Sequence, residues 1–124
     1  MQTIKNITVI SDTHGVIDEG IIPHLIDSDM IVHAGDIMST DIIKKLKTYS
    51  QNVVTVAGNN DLPERYSDPQ DKEIISKLNK VEHFKIGEET VTVEHGDRFG
   101  HHPSHHELRS AYPTSKLIIY GHTH

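Results

Sequence analysis

Ile7-Thr8-Val9-Ile10-Ser11-Asp12-Thr13-His14-Gly15 is the stretch from which the rest of the chain is read. Ile7 to Ile10 are apolar toward both faces, the pattern of a strand covered on each side. An aspartate and a histidine one residue apart follow at once, at the strand's C-terminal mouth, where both side chains can turn toward one metal ion. Alone, Asp-x-His is a weak pattern. It gains weight because four more clusters of ligand-type residues close later apolar runs: His33-Ala34-Gly35-Asp36, Gly58-Asn59-Asn60-Asp61, His95-Gly96 and Gly121-His122-Thr123-His124.

Outward from that stretch, Ile17, Ile21, Ile22, Leu25 and Ile26 recur at helical spacing, with Pro23 in the first turn of a short or bent helix. Met30-Ile31-Val32 is a second strand, ending at Gly35-Asp36. Ser39 or Thr40 then caps a helix whose apolar face is Ile42, Ile43, Leu46 and Tyr49. Val53 to Ala57 is a third strand. Strand, helix, strand, helix, strand predicts parallel strands with right-handed crossovers, whose C-terminal ends share one edge of a sheet. Asp12, His14, Asp36 and Asn59 are expected to meet along that edge.

Leu62 to Pro69 reads as a loop leading to a helix with Ile74, Ile75 and Leu78 facing inward. A hairpin of Val81 to Ile86 and Thr90 to Glu94, turning at Gly87-Glu88-Glu89, delivers His95. After a histidine-rich polar segment and a short helix around Glu107 to Ala111, Lys116 to Tyr120 delivers Gly121-His122-Thr123-His124.

Composition narrows the function classes. A chain of 124 residues without linkers or repeats reads as a single domain, 1–124. Twelve basic against eighteen acidic side chains give a formal charge of −6, which offers no basic groove and fits nucleic acid poorly. Cysteine is absent, so disulfides, thiolate metal sites and a cysteine nucleophile are excluded. The amino end carries no apolar signal core and no run has membrane-spanning length, so a cytoplasmic location without a membrane partner is expected. Eleven histidines, scattered rather than gathered into a tag, point to ligand use.

The clusters supply two aspartates, one asparagine and four histidines, oxygen and nitrogen donors suited to two divalent cations: manganese, iron, zinc or nickel. Asp12, His14 and His124 would hold one, and Asn59, His95 and His122 the other, with Asp36 bridging. Two such cations about 3.5–4 Å apart activate a bridging water and clamp the attacking and leaving oxygens of an in-line phosphoryl displacement.

Asp12-x-His14, Gly35-Asp36, Gly58-Asn59-x-Asp61, His95-Gly96 and Gly121-His122-x-His124, in that order, resemble the five motifs of the calcineurin-like metallophosphoesterase superfamily. Within it, Ser11-Asp12-Thr13-His14-Gly15 and the short chain are similar to small bacterial and archaeal phosphodiesterases of the YfcE type. The resemblance implies a four-layer α/β/β/α sandwich, the seven-ligand dinuclear site, manganese as the usual metal, and hydrolysis of a small phosphate ester by a metal-bridging hydroxide. Asn60 stands where many members carry a histidine. It can donate a hydrogen bond to phosphate but cannot readily deliver a proton, so diesters with good leaving groups are expected to react best. Asp97 replaces the second histidine of the fourth motif. The chain stops at His124, inside the fifth motif, where relatives add strands to the second sheet. The expected fold therefore lacks those strands, and natural truncation, a fragment, or an edge closed by homo-oligomerisation remain open.

Plainer readings compete. Asp12, Asp36 and Asn59 are also ordinary cap and turn residues. His33 suits packing better than ligation, the run from His101 to His106 suits a solvated loop, and Arg65 and Arg98 either clamp phosphate or face solvent. The rival function is a non-catalytic interaction scaffold of the same fold, as in a retromer subunit.

Overall fold

The computed structural model of the protein describes residues 6–13, 15–96 and 105–121. Strand β1 (Ile7–Ile10) leads through a 3-10 turn (Glu19–Ile21) into helix α1 (Ile22–Ile26). Asp18 caps that turn by accepting from the Gly20 N–H, and Pro23 sits in the first turn of α1, where its missing N–H costs nothing; α1 is a little over one turn long. Strand β2 (Met30–His33), helix α2 (Thr40–Tyr49) and strand β3 (Val53–Thr55) follow. Of the two expected caps for α2 it is Ser39 that accepts, from the Asp41 N–H. Beyond a 3-10 turn at Pro63–Arg65, helix α3 (Pro69–Ser76) starts on Asp68 with proline in its first turn. Strands β4 (Val81–Ile86) and β5 (Glu89–Glu94), helix α4 (His105–Ala111) and strand β6 (Leu117–Ile119) complete the order.

Strands β1, β2 and β3 form a parallel sheet in that order, with Ile10 opposite His33 and His33 opposite Thr55. The second sheet is β4-β5-β6, with β4 antiparallel to β5 and β5 parallel to β6. β2 is buried along its whole length, which is why its sequence is apolar without alternation. Ile31 joins Leu25, Ile37, Ile42 and Leu46 beneath α1 and α2. Met30 and Val32 turn the other way and pack with Val56, Val91, Val93 and Ile119 between the two sheets. Each fully buried aliphatic side chain is worth about 2 kcal/mol, against about 1 kcal/mol for a helix cap. The two apolar clusters therefore hold the layers, and the caps only set where the helices begin.

β5 alternates where β2 does not. Val91 and Val93 face the first sheet, while Thr92 and Glu94 face α4 and the segment after it. There Tyr112 donates to the Glu94 carboxylate, and Thr92 bonds both Ser115 and His83. Five strands, β1, β2, β3, β5 and β6, point their C-terminal ends to one edge. The two sheets meet there, the Gly121 N–H bonding the His95 carbonyl and the His95 ring bonding the Ala34 carbonyl. Among the described residues no helix is long and apolar enough to cross a membrane.

Candidate metal centre

Loops leaving β1 and β2 are sewn together first. The Ala34 N–H donates to the Ile10 carbonyl at 2.9 Å, Asp12 N–H to the Gly35 carbonyl at 2.9 Å, and Gly15 N–H to the Ile37 carbonyl at 2.8 Å. Within these loops Asp12, Asp36 and Met38 have φ of 55°, 57° and 62°, the non-glycine residues in the left-handed region among those described. Such a conformation costs about 1 kcal/mol or more per residue, so something must hold it. The buried Asp61 carboxylate does, accepting from the N–H groups of Ile37 (3.1 Å), Met38 (2.9 Å) and Gly58 (2.8 Å). Hydrogen bonds to a charged acceptor contribute about 1.5–3 kcal/mol each, enough to outweigh the strain at Asp36 and Met38 together.

Asp36, only 1% exposed, is aimed by its neighbours. Its Oδ1 accepts from the Asn60 backbone N–H and its Oδ2 from the Asn60 side-chain amide, both at 2.9 Å. Ser11 Oγ donates to Asp12 Oδ2 at 2.6 Å. His95 is buried, and its Nδ1 donates to the Ala34 carbonyl at 2.8 Å. That bond fixes the ring and leaves Nε2 as the ring nitrogen available to a metal. Nε2 lies 3.4 Å from Asp36 Oδ2 and 3.7 Å from Asp12 Oδ1. One donor atom from each of Asp12, Asp36 and His95 falls within 4.8 Å of the others. Two carboxylates and an imidazole nitrogen so placed form an oxygen-and-nitrogen set that suits a borderline divalent metal.

Two glycines make this approach possible. At Gly35, with φ of +103°, a Cβ would come within 2.7 Å of His95 Nδ1. At Gly121 a Cβ would strike Ser11 Oγ and lie 2.7 Å from Asp12 Oδ2. β6 thus brings the chain against Asp12 at the last residue before His122.

His33 is packed rather than ligating. Its ring is buried, Nδ1 accepts from the Gly35 N–H at 3.1 Å, and Nε2 donates to Thr13 Oγ1 at 3.0 Å. Burial lowers its pKa from 6.5 to about 4, further than the nearby Asp12 and Asp36 can raise it. His33 is therefore neutral and braces the β1 loop against the β2 loop.

Of the sequence-derived ligands, the fold brings together Asp12, Asp36 and His95. Asn59 stands exposed on the loop after β3. His14, His122 and His124 lie outside the described residues, as do Arg98 and the run from His101 to Ser104. Asn60 faces Asp36 with both its backbone N–H and its amide. Asp61 was legible as part of a motif, but its task of holding three backbone N–H groups was not.

A family model described as the calcineurin-like phosphoesterase superfamily domain matches residues 6–124. Phosphodiesterase MJ0936 of Methanocaldococcus jannaschii is 31% identical over 101 residues, covering 77% of this chain and 57% of that protein. A probable metallophosphoesterase of Methanothermobacter thermautotrophicus is 32% identical over 127 residues, covering 95% of this chain and 66% of its own length. The chain thus spans less than two thirds of either relative. Among solved structures, Vps29 of Entamoeba histolytica in complex with Zn2+ superposes with a TM-score of 0.74 at 21% identity, over 97% of this chain and 65% of that one. That likeness is one of fold.

Proposed function

We propose, from the premise that the chain belongs to the calcineurin-like phosphoesterase superfamily, that it is a dinuclear metal-dependent phosphodiesterase. Its substrate is a small phosphate ester. The helix, sheet, sheet, helix order corresponds to the four-layer sandwich of that superfamily. The observation that carries the reading is the convergence of Asp12, Asp36 and His95 from the ends of three strands in two sheets. Asp12, His14 and His124 would hold one cation, Asn59, His95 and His122 the other, and Asp36 would serve both. Manganese is the metal we assign, with zinc, nickel and iron able to use the same donors. Bound there, a metal pair supplies Lewis-acid activation of water and positive charge for the phosphate.

The chain's own residues do the rest. Ala34 fixes the His95 ring, Ser11 and Asn60 aim the two carboxylates, and His33 and Asp61 hold the loops that carry them. An amide nitrogen has two hydrogens, and one of Asn60's is engaged by Asp36. The other is free to meet a phosphate oxygen, while an amide has no proton to give a leaving alkoxide. Diesters with acidic leaving groups should therefore be cut faster than alkyl esters.

The test is to strip the protein of metal, add manganese, and follow bis(p-nitrophenyl) phosphate. Turnover that returns with metal and falls at least a hundredfold in Asp36→Asn is expected. No turnover at full metal occupancy contradicts the reading. It would favour a non-catalytic interaction scaffold, for which Val9 (47% exposed) and Leu117 (48% exposed), apolar residues of β1 and β6, are the supporting feature.

A further inference from the structure

We infer that the cavity walled by Met38, Asn60, Arg65 and Tyr66 is a substrate subsite, taking an ester arm that carries a negative charge of its own, such as a carboxylate or a second phosphate. This assignment rests on the phosphoesterase reading. The cavity is about 270 Å³, room for an aryl or small alkyl arm and too small for a polymer. Asn60 belongs to both places, since its amide bonds Asp36 while its residue lines the cavity wall. An ester whose phosphorus sits beside Asp12, Asp36 and His95 would pass one arm over Asn60 into this space.

Backbone strain marks the same place. The described non-glycine residues with left-handed φ are Asp12, Asp36 and Met38. Two of them are candidate ligands, and the third forms this cavity. One Asp61 carboxylate accepts from the N–H groups of Ile37, next to Asp36, and of Met38, so the cavity wall and the loop carrying Asp36 are set as one unit. Strain that persists only because its surroundings enforce it gathers where position matters for function. At the far wall, the Tyr66 hydroxyl is buried with no hydrogen-bond partner among the described residues, a second cost borne at the same place.

Charge decides the class of arm. The formal charge of the chain is −6 and the centre itself is built from carboxylates, so an anionic arm is repelled from most of the surface. Arg65 is the one cation among the four wall residues and its side chain is exposed, so its guanidinium can pair with a carboxylate or phosphate in two parallel hydrogen bonds. The Tyr66 ring and Met38 thioether give apolar contact to the carbon part of the arm.

Two diesters separate the possibilities: methyl 4-carboxyphenyl phosphate and the same compound with its carboxylate capped as a methyl ester, methyl 4-(methoxycarbonyl)phenyl phosphate, hydrolysed by the manganese-loaded protein. Their leaving groups differ in acidity, but that difference cancels when the ratio of their kcat/KM values is compared between variants. Arg65→Gln is expected to lower the carboxylate-to-ester ratio about fivefold to tenfold, through KM. Lys85→Gln removes the same charge on exposed β4 and should leave the ratio unaltered. An Arg65→Gln ratio within twofold of the wild type, with both diesters still cleaved, overturns the subsite and leaves the phosphoesterase reading intact. If neither diester is cleaved, the Arg65 Nε–H resonance is followed on titrating the zinc-loaded protein with each compound. A shift with the carboxylate alone supports the subsite while the catalytic reading fails, and equal or absent shifts overturn it.

Discussion

Two regions of this molecule bury polar side chains, and they do so differently. At the C-terminal edge, Asp12, Asp36 and His95 crowd their ligand atoms within 4.8 Å on loops whose backbone is held in the left-handed region. Between β5 and α4, Thr92, Glu94, Tyr112 and Ser115 are also buried or half-buried, but they pair donor with acceptor on unstrained backbone. The second region is a polar filling with no left-handed backbone beneath it. The first places acceptor beside acceptor and must be forced to do so. Burial of polar groups alone therefore does not mark a site here, whereas enforced strain with converging lone pairs does.

That contrast predicts unequal damage. Asp61→Ala removes the acceptor for three backbone N–H groups and releases the strain at Asp36 and Met38, so a loss of about 4 kcal/mol of unfolding free energy is expected in urea titration. A loss below about 1 kcal/mol would mean that the loops hold themselves and that the clamp has been misread. Metal affinity should fall with it, because Asp36 is no longer aimed.

Acid comes next in size. His33 titrates near 6.5 when unfolded and near 4 when folded. Between those values the unfolded chain takes a proton that the native ring refuses, so stability declines as pH drops from about 6.5 to 4 and this contribution is level above 7. The whole difference amounts to about 3 kcal/mol. In urea midpoints of the metal-free protein, His33→Gln should flatten that decline, and an unchanged slope would place the acid sensitivity elsewhere.

Smallest is the effect in the polar filling. Glu94→Gln keeps an acceptor for Tyr112 and strains no backbone, so about 1 kcal/mol is expected from thermal unfolding, with metal binding preserved. If Glu94→Gln abolished metal binding, the two regions would not be separable in the way described.

Much of this was readable from the chain. Parallel topology follows from strand-helix alternation, and it alone sends Asp12 and Asp36, twenty-four positions apart, to one edge. His95 was readable because a hairpin strand ended on it. Other features depend on contacts that no local pattern encodes. Asp61 looks the same in sequence whether its carboxylate faces a metal or three backbone N–H groups, and Asn60 gives no hint that its amide turns to Asp36. The strand expected over Val53 to Ala57 ends at Thr55, because Ala57 N–H leaves the ladder for the Asn79 carbonyl. The cavity beside Asn60 was invisible as well, since its walls come from Met38, Asn60, Arg65 and Tyr66, which no local pattern groups together.

The central claim is that the ends of strands from both sheets hold a pair of metal ions. Anomalous diffraction from crystals soaked in manganese tests it most directly. Two peaks about 3.5–4 Å apart are expected, with Asp36 touching both, Asp12 one and His95 Nε2 the other. A fully loaded crystal with no peak within bonding distance of Asp36 and His95 would contradict it.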